Sequence, residues 1–134
     1  MSSFTDQVLE IYSDGASKGN PGRASIGAVL LLDGKEVAQV SKSIGIATNN
    51  IAEYTALLEA LKLAGQMGFT RIHVKADSEL MIRQLNGIYK VKNSDIKVLF
   101  DQIVLLKMDF STISFTHVPR EQNKRADFLA NKAL

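Results

Sequence analysis

Four acids in this chain stand where carboxylates can do chemistry: Asp14, Glu53, Asp77 and Asp127. Asp14 opens the glycine-rich stretch Asp14 to Gly22, and Asp77 directly follows the short apolar-alternating run Arg71 to Ala76. Glu53 lies about one turn into a segment of helical period, and Asp127 about one turn into another. The chain has no Cys, so thiolate nucleophiles and Cys-based zinc sites are excluded. If the four acids converge, they form a hard, oxygen-only site of the kind that suits Mg²⁺ or Mn²⁺. Two such ions about 4 Å apart can activate a water, stabilise a leaving oxygen and clamp a phosphodiester for in-line displacement.

Each acid also has a plainer reading. Asp14 can shape a glycine turn, and Asp77 can cap a helix that begins at Ser78. Glu53, three residues after Asn50, can be the reciprocal acid of a capping pair. Asp127, between Ala126 and Phe128 inside a helical stretch, has poor helix propensity and no evident capping duty. Its plain reading is a solvated surface acid.

Convergence depends on the elements that carry these residues. Val8 to Ser13 reads as a first strand. Ser25 to Leu32 is a second, Asp33-Gly34 is a strong hairpin signal, and Lys35 to Ser43 returns as a third. After Asn49-Asn50 the period changes to helical: Ile51, Tyr54, Leu57, Leu58, Leu61 and Ala64 share one face until Gly65 and Gly68 close the segment. Arg71 to Ala76 is a fourth strand and Ser78 to Asn86 a helix closed by Gly87. Ser94 to about Met108 is a further helix, Thr112 to Val118 a fifth strand, and Asn123 to Ala133 a last helix. The order predicts an antiparallel three-stranded meander, with the two later strands entered through helices and parallel to the first. The expected fold is α/β: a mixed five-stranded sheet flanked by helices on both faces. If strand four lies beside strand one, the winding reverses between them, and ligand sites lie at the strand ends beside such a reversal. Asp14 and Asp77 then emerge side by side.

The totals are compatible with this. At 134 residues a single domain spanning residues 1–134 is expected. The hydrophobic share of 46% and charged share of 22% are globular and argue against disorder. No apolar run reaches the roughly 18 residues of a membrane span, and Met1 to Asp6 lacks a secretory signal, so cytoplasm is the expected compartment and no membrane partner is expected. A net charge of +2 does not announce a polyanionic partner. Its distribution permits one, with Lys90 and Lys92 in one stretch and Arg120, Lys124, Arg125 and Lys132 near the C-terminal end.

The segments around the acids, Asp14-Gly-Ala-Ser-Lys-Gly-Asn-Pro-Gly22, Thr48-Asn-Asn-Ile-Ala-Glu53-Tyr, Ala76-Asp77-Ser78 and Asn123-Lys-Arg-Ala-Asp127-Phe-Leu-Ala130, resemble the four ordered motifs of the type 1 ribonuclease H family. The resemblance runs from Ile11 to Ala133. It implies that Asp14 bridges two metal ions, that Glu53 and Asp77 complete one, and that Asp127 holds the ion bearing the attacking water. It further implies that Ser17, Gly19, Asn20, Asn49 and Asn50 meet the minor groove and the 2′-hydroxyls of RNA, with Thr48 on a phosphate of the DNA strand. Helix entry and capping are an additional role for Asn49 and Asn50. The glycine turn is not a nucleotide cradle, because it lacks both G-x-x-x-x-G-K-[ST] and G-x-G-x-x-G.

The chain departs from this family's pattern in three places. With no Trp and a short Ile88 to Asn93 link, it resembles a short form lacking the basic protrusion of some members. Glu79 stands where several relatives carry a substrate-contacting Gln. His117, ten residues before Asp127, matches the spacing of a mobile histidine that assists product release in some members, but Thr116 to Glu121 reads better as a strand end entering a short loop. Arg120 is then an alternative phosphate contact. The activity implied is metal-dependent endonucleolytic cleavage of the RNA strand of an RNA–DNA hybrid by a monomeric chain, leaving 5′-phosphate ends. The alternatives are a binding module of the same fold that cuts weakly or not at all, and a nuclease of the same fold that prefers duplex RNA.

Overall fold

The computed structural model describes residues 7–134, so the Met1 to Asp6 segment read above lies outside the described residues. Ten elements follow in chain order: β1 Val8–Ser17, β2 Gly22–Leu32, β3 Lys35–Ala47, α1 Asn49–Gln66, β4 Arg71–Ala76, α2 Glu79–Leu85, α3 Ser94–Lys107, β5 Thr112–His117, a 3₁₀ turn Arg120–Gln122 and α4 Lys124–Lys132. The strands form one sheet in the order β3-β2-β1-β4-β5. β1, β2 and β3 pair antiparallel, while β4 runs parallel to both β1 and β5. The expected fold class is the observed one.

The β2–β3 hairpin turns at Asp33 and Gly34, both at positive φ (52° and 79°). This is the backbone that lets a two-residue turn follow the twist of its strands. The first strand is longer than its sequence suggests. The glycine-rich stretch from Asp14 reads as a loop, yet pairing with β2 continues through Asp14↔Gly27 to Ser17↔Ala24, leaving a link of only Lys18 to Pro21. The parallel ladder with β4 ends earlier, at Ser13↔Ala76. Asp14 is therefore inside β1, one residue beyond the point where β4 departs. β3 likewise continues past Ser43 to Ala47, with a bulge opposite Ala24 and Ser25.

Alternation assigns the two faces. Leu9, Ile11, Val74 and Ala76 point into the main core with Ala28, Leu30, Tyr54, Leu57 and Leu61, under α1. Along α1 the buried alanines Ala52, Ala56, Ala60 and Ala64 recur every four residues and let the helix lie close to the sheet. Full burial of each larger apolar side chain in this core is worth ~1.5–3 kcal/mol. The opposite face of β1, β2 and β3 is covered by α4. At nine residues this helix is too short to persist alone, and the sheet holds it. It buries Ala126, Leu129 and Ala130, and the hydroxyls of Ser25 and Ser41 donate to the carbonyls of Ala130 and Leu129 in its last turn.

Two glycines set how closely the helices approach. A Cβ at Gly15 would lie 2.7 Å from Ala52 Cβ and nearer still to the α1 backbone. One at Gly27 would lie 2.9 Å from the Leu129 carbonyl carbon and nearer still to Ala126 O and Ala130 N. Gly15 thus seats α1 and Gly27 seats α4, on opposite faces.

Candidate active site

The local chemistry of each acid removes the plainer readings for three of them. Thr48 caps α1, its Oγ1 accepting the Ile51 N–H at 3.2 Å. Glu53 is thereby free of capping duty, and its carboxylate accepts the Gly15 N–H at 2.5 Å. Ser78 caps α2, accepting the Met81 N–H at 3.3 Å, so Asp77 is not the cap. Asp14 is part of the β1–β2 ladder rather than a turn former. Asp127 is half-buried, one turn into α4, and its Oδ1 and main-chain carbonyl accept from Asn131 Nδ2 at 3.1 and 2.9 Å.

One carboxylate oxygen from each of Asp14, Glu53 and Asp77 lies within 4.8 Å of the others. Asp14 and Glu53 are buried, at 7% and 6% exposure, and Asp77 is half-buried. Asp127 stands outside this trio but lines the same cleft as Asp14. All four line one cleft of about 610 Å³, together with Ser17, Lys18, Asn49 and Arg120.

The electrostatics follow from that crowding. Burial first, then the charge of Glu53, pushes Asp14 far above the ordinary carboxylate range. Burial pushes Glu53 up to about 7, although its hydrogen bonds with Asp14 and the Gly15 N–H pull the other way. Desolvated, mutually repelling carboxylates retain protons until something cationic replaces them. The donor set fits divalent cations: oxygen ligands only, several of them anionic, on rigid elements.

The remaining sequence-derived residues divide. Ser17 and Asn49 line the acid cleft. Asn20, Thr48 and Asn50 line an adjoining groove of about 230 Å³, with Ser78, Gln84 and Asn93. The two cavities share Glu53 and Ser78. Asn20 Oδ1 accepts the Asn49 N–H at 3.0 Å, fastening the glycine turn to the start of α1. Ser17 Oγ donates to the carbonyls of Gly19 and Ala47. Gly19, at φ 147°, shapes the turn and lines neither cavity. His117 is the last residue of β5, paired with Ala76 and absent from the cleft lining, whereas Arg120 is part of it. Glu79 pairs with Arg83 at 3.2 Å. Sequence reasoning passed over Lys18 and Asn131, which line the cleft, and the two seating glycines. For Asn131 the signal was its place four residues after Asp127.

A mixed sheet whose central strand carries one acid, met by acids from a neighbouring strand end and from helices on both faces, defines a ribonuclease H-like domain. The family model described as reverse transcriptase-like matches residues 12–133. The chain is 47% identical over 127 residues to ribonuclease HI of Halobacterium salinarum, covering 94% of this chain. The crystal structure of RNase H1 from that archaeon superposes with a TM-score of 0.92 at 45% identity, covering 94% of this chain and 96% of that one. LC11-RNase H1, solved in complex with an RNA/DNA hybrid, superposes with a TM-score of 0.89 at 42% identity, covering 93% and 95%. The chain belongs to the type 1 ribonuclease H family. It spans 64% of the length of the Halobacterium protein and 35% of a Mycobacterium bovis relative that is 44% identical to it. No helix among the described residues is long and apolar enough to cross a membrane.

Proposed function

We propose that this chain hydrolyses the RNA strand of RNA–DNA hybrids with two divalent ions, Mg²⁺ or Mn²⁺, leaving 5′-phosphate ends. The observation that carries the reading is the three-carboxylate cluster at the β1–β4 divergence, with Asp127 lining the same cleft. Asp14, Glu53 and Asp77 would hold one ion, and Asp14 with Asp127 the second. Bound there, the ions would supply an activated water and charge stabilisation for the leaving oxygen. The chain's own groups do the rest. The Gly15 N–H fixes the Glu53 carboxylate, and Asn131 fixes that of Asp127. Lys18 and Arg120, on the cleft wall, attract the phosphate backbone.

Substrate choice lies along the adjoining groove and at Asn49 on the wall of the acid cleft. Asn20, Asn49 and Asn50 offer donors and acceptors to ribose 2′-hydroxyls, which distinguish RNA from DNA, and Thr48 meets a phosphate of the DNA strand. The reading includes residues 1–134 acting as one domain, as a monomer, in the cytoplasm. Cleavage of end-labelled hybrid, duplex RNA and duplex DNA in Mg²⁺, in Mn²⁺ and in EDTA tests it. Metal-dependent cutting of the RNA strand of the hybrid is expected. Hybrid binding without cutting in either metal would replace the enzyme by a binding module, and faster cutting of duplex RNA would move the substrate.

A further inference from the structure

Asn123 occupies the position that ordinarily caps a helix, immediately before α4, yet its side chain makes no capping bond. It is 1% exposed and turns inward instead. Its Nδ2 donates to the Ser13 carbonyl at 2.9 Å, a bond between residues 110 apart in sequence. Its own main-chain carbonyl accepts the Asp127 N–H at 3.1 Å. Ser13 directly precedes Asp14. A single residue therefore grips the strand carrying one acid and the helical turn carrying another, and those two acids line the same cleft.

Stability alone is a poor reason for this conformation. A capping Asn stabilises the helix it opens, and Asn123 forgoes that bond. Its Oδ1 is buried with no hydrogen-bond partner among the described residues, and an unmade buried bond is destabilising. What the conformation provides is a fixed offset between Asp14 and the first turn of α4. The other anchors of α4 act elsewhere: Ser25 and Ser41 hold its last turn, and Arg125 reaches Glu36 on its outer side at 2.8 Å.

We propose that Asn123 is a positioning residue for divalent-ion binding, setting Asp127 against Asp14 so that the two acids meet the same ion pair. This rests on the two-ion reading above. Groups that orient metal ligands from behind typically change metal affinity or activity about 10–100-fold when removed.

The test uses the full chain with Asn123→Ala and the near-isosteric Asn123→Asp, which keeps the volume but cannot donate to Ser13 when ionised. Ser25→Ala is the comparison, because it loosens the far end of α4. Mn²⁺ binding is followed by calorimetry, the metal-induced rise in melting temperature by circular dichroism, and hybrid cleavage by Mg²⁺ titration. The expected result for Asn123→Asp is an Mn²⁺ dissociation constant and a half-saturating Mg²⁺ concentration raised about 10–100-fold. The hybrid KM should stay near the parent's, and Ser25→Ala should lower only the melting temperature. Should Asn123→Ala fail to fold, the Asp variant carries the test. If Asn123→Asp and Ser25→Ala lose melting temperature alike and neither changes metal affinity, Asn123 is a structural tether and the proposal is overturned. A parent that binds Mn²⁺ but cuts no hybrid sinks the nuclease reading alone, since the calorimetric comparison still decides Asn123.

Discussion

Replacing Gly27 by alanine adds one methyl group where α4 lies against β2. Its Cβ would sit 2.9 Å from the Leu129 carbonyl carbon and closer to Ala126 O and Ala130 N, all helix backbone that cannot rotate away. Ordinary contact begins at 3.4 Å, so α4 must back off by roughly half an ångström to one ångström. Overpacking of this kind costs about 1–3 kcal/mol. The displacement also strains the Ser25 and Ser41 bonds to Ala130 and Leu129, each worth about 1 kcal/mol. Against this, alanine in a strand recovers about 0.5–1 kcal/mol over glycine. The net loss is roughly 1–4 kcal/mol, which for a domain of this size lowers Tm by about 3–15 °C. Asp127 rides on the displaced helix, and a misplacement near 1 Å can cost about 100-fold in rate. Circular dichroism melts in EDTA, followed by single-turnover hybrid cleavage at a temperature where the variant is folded, measure both. Gly65→Ala is the control: its Cβ would meet nothing nearer than Phe110 Cζ at 3.9 Å, and within α1 it should raise stability by up to about 1 kcal/mol. A Gly27→Ala protein that melts with the parent and cuts at the parent's rate would refute the claim that this glycine seats α4 and Asp127.

Three further outcomes are expected. Asp14 and Glu53 are both raised above their unfolded values, so the stability tied to their protonated forms is complete below about pH 4 and is lost as pH rises through the folded values. Melting temperature in EDTA should therefore fall as pH climbs towards and past about 7, where Glu53 titrates, and Mg²⁺ should restore most of it at neutral pH; a flat profile would contradict the crowding. Asp77→Asn should melt at or above the parent in EDTA, since Ser78 keeps the cap of α2, and should gain much less from millimolar Mg²⁺; equal metal-induced shifts would show that Asp77 is no ligand. His117→Ala should change turnover less than threefold in steady-state assays at saturating hybrid, because His117 ends β5 away from the cleft lining; a large drop in turnover at unchanged Tm would reinstate it as a catalytic helper.

The order of strands and helices, the hairpin at Asp33-Gly34 and the four acids were legible because each rests on local chemistry: period, turn residues and composition. The end of β1 was not. Glycines at 15, 19 and 22 read as a loop, but pairing with β2 through Ser17↔Ala24 satisfies that backbone, and the turn shrinks to four residues. The seating role of Gly15 and Gly27 was equally hidden, since it depends on which helix backbone arrives opposite each residue. Asn123 misleads for the same reason. In sequence it only opens the last helix, and the Ser13 carbonyl, 110 residues away, is what reveals the work of its side chain. The plainer readings of Asp77 and Glu53 dissolved once Ser78 and Thr48 took the capping work.

The division of the acids between the two faces has a further consequence. α1 belongs to the large core, whereas α4 is a nine-residue helix held by three buried apolar side chains and a few hydrogen bonds. Local opening free energies follow such differences in contact, so α4 can detach for brief intervals while α1 and the sheet stay folded. In each interval the chain retains Asp14, Glu53 and Asp77 but presents Asp127 to solvent. Amide exchange along α4 then measures how often the centre is complete, and a bound cation that draws on Asp127 slows that exchange while leaving the amides of α1 almost untouched.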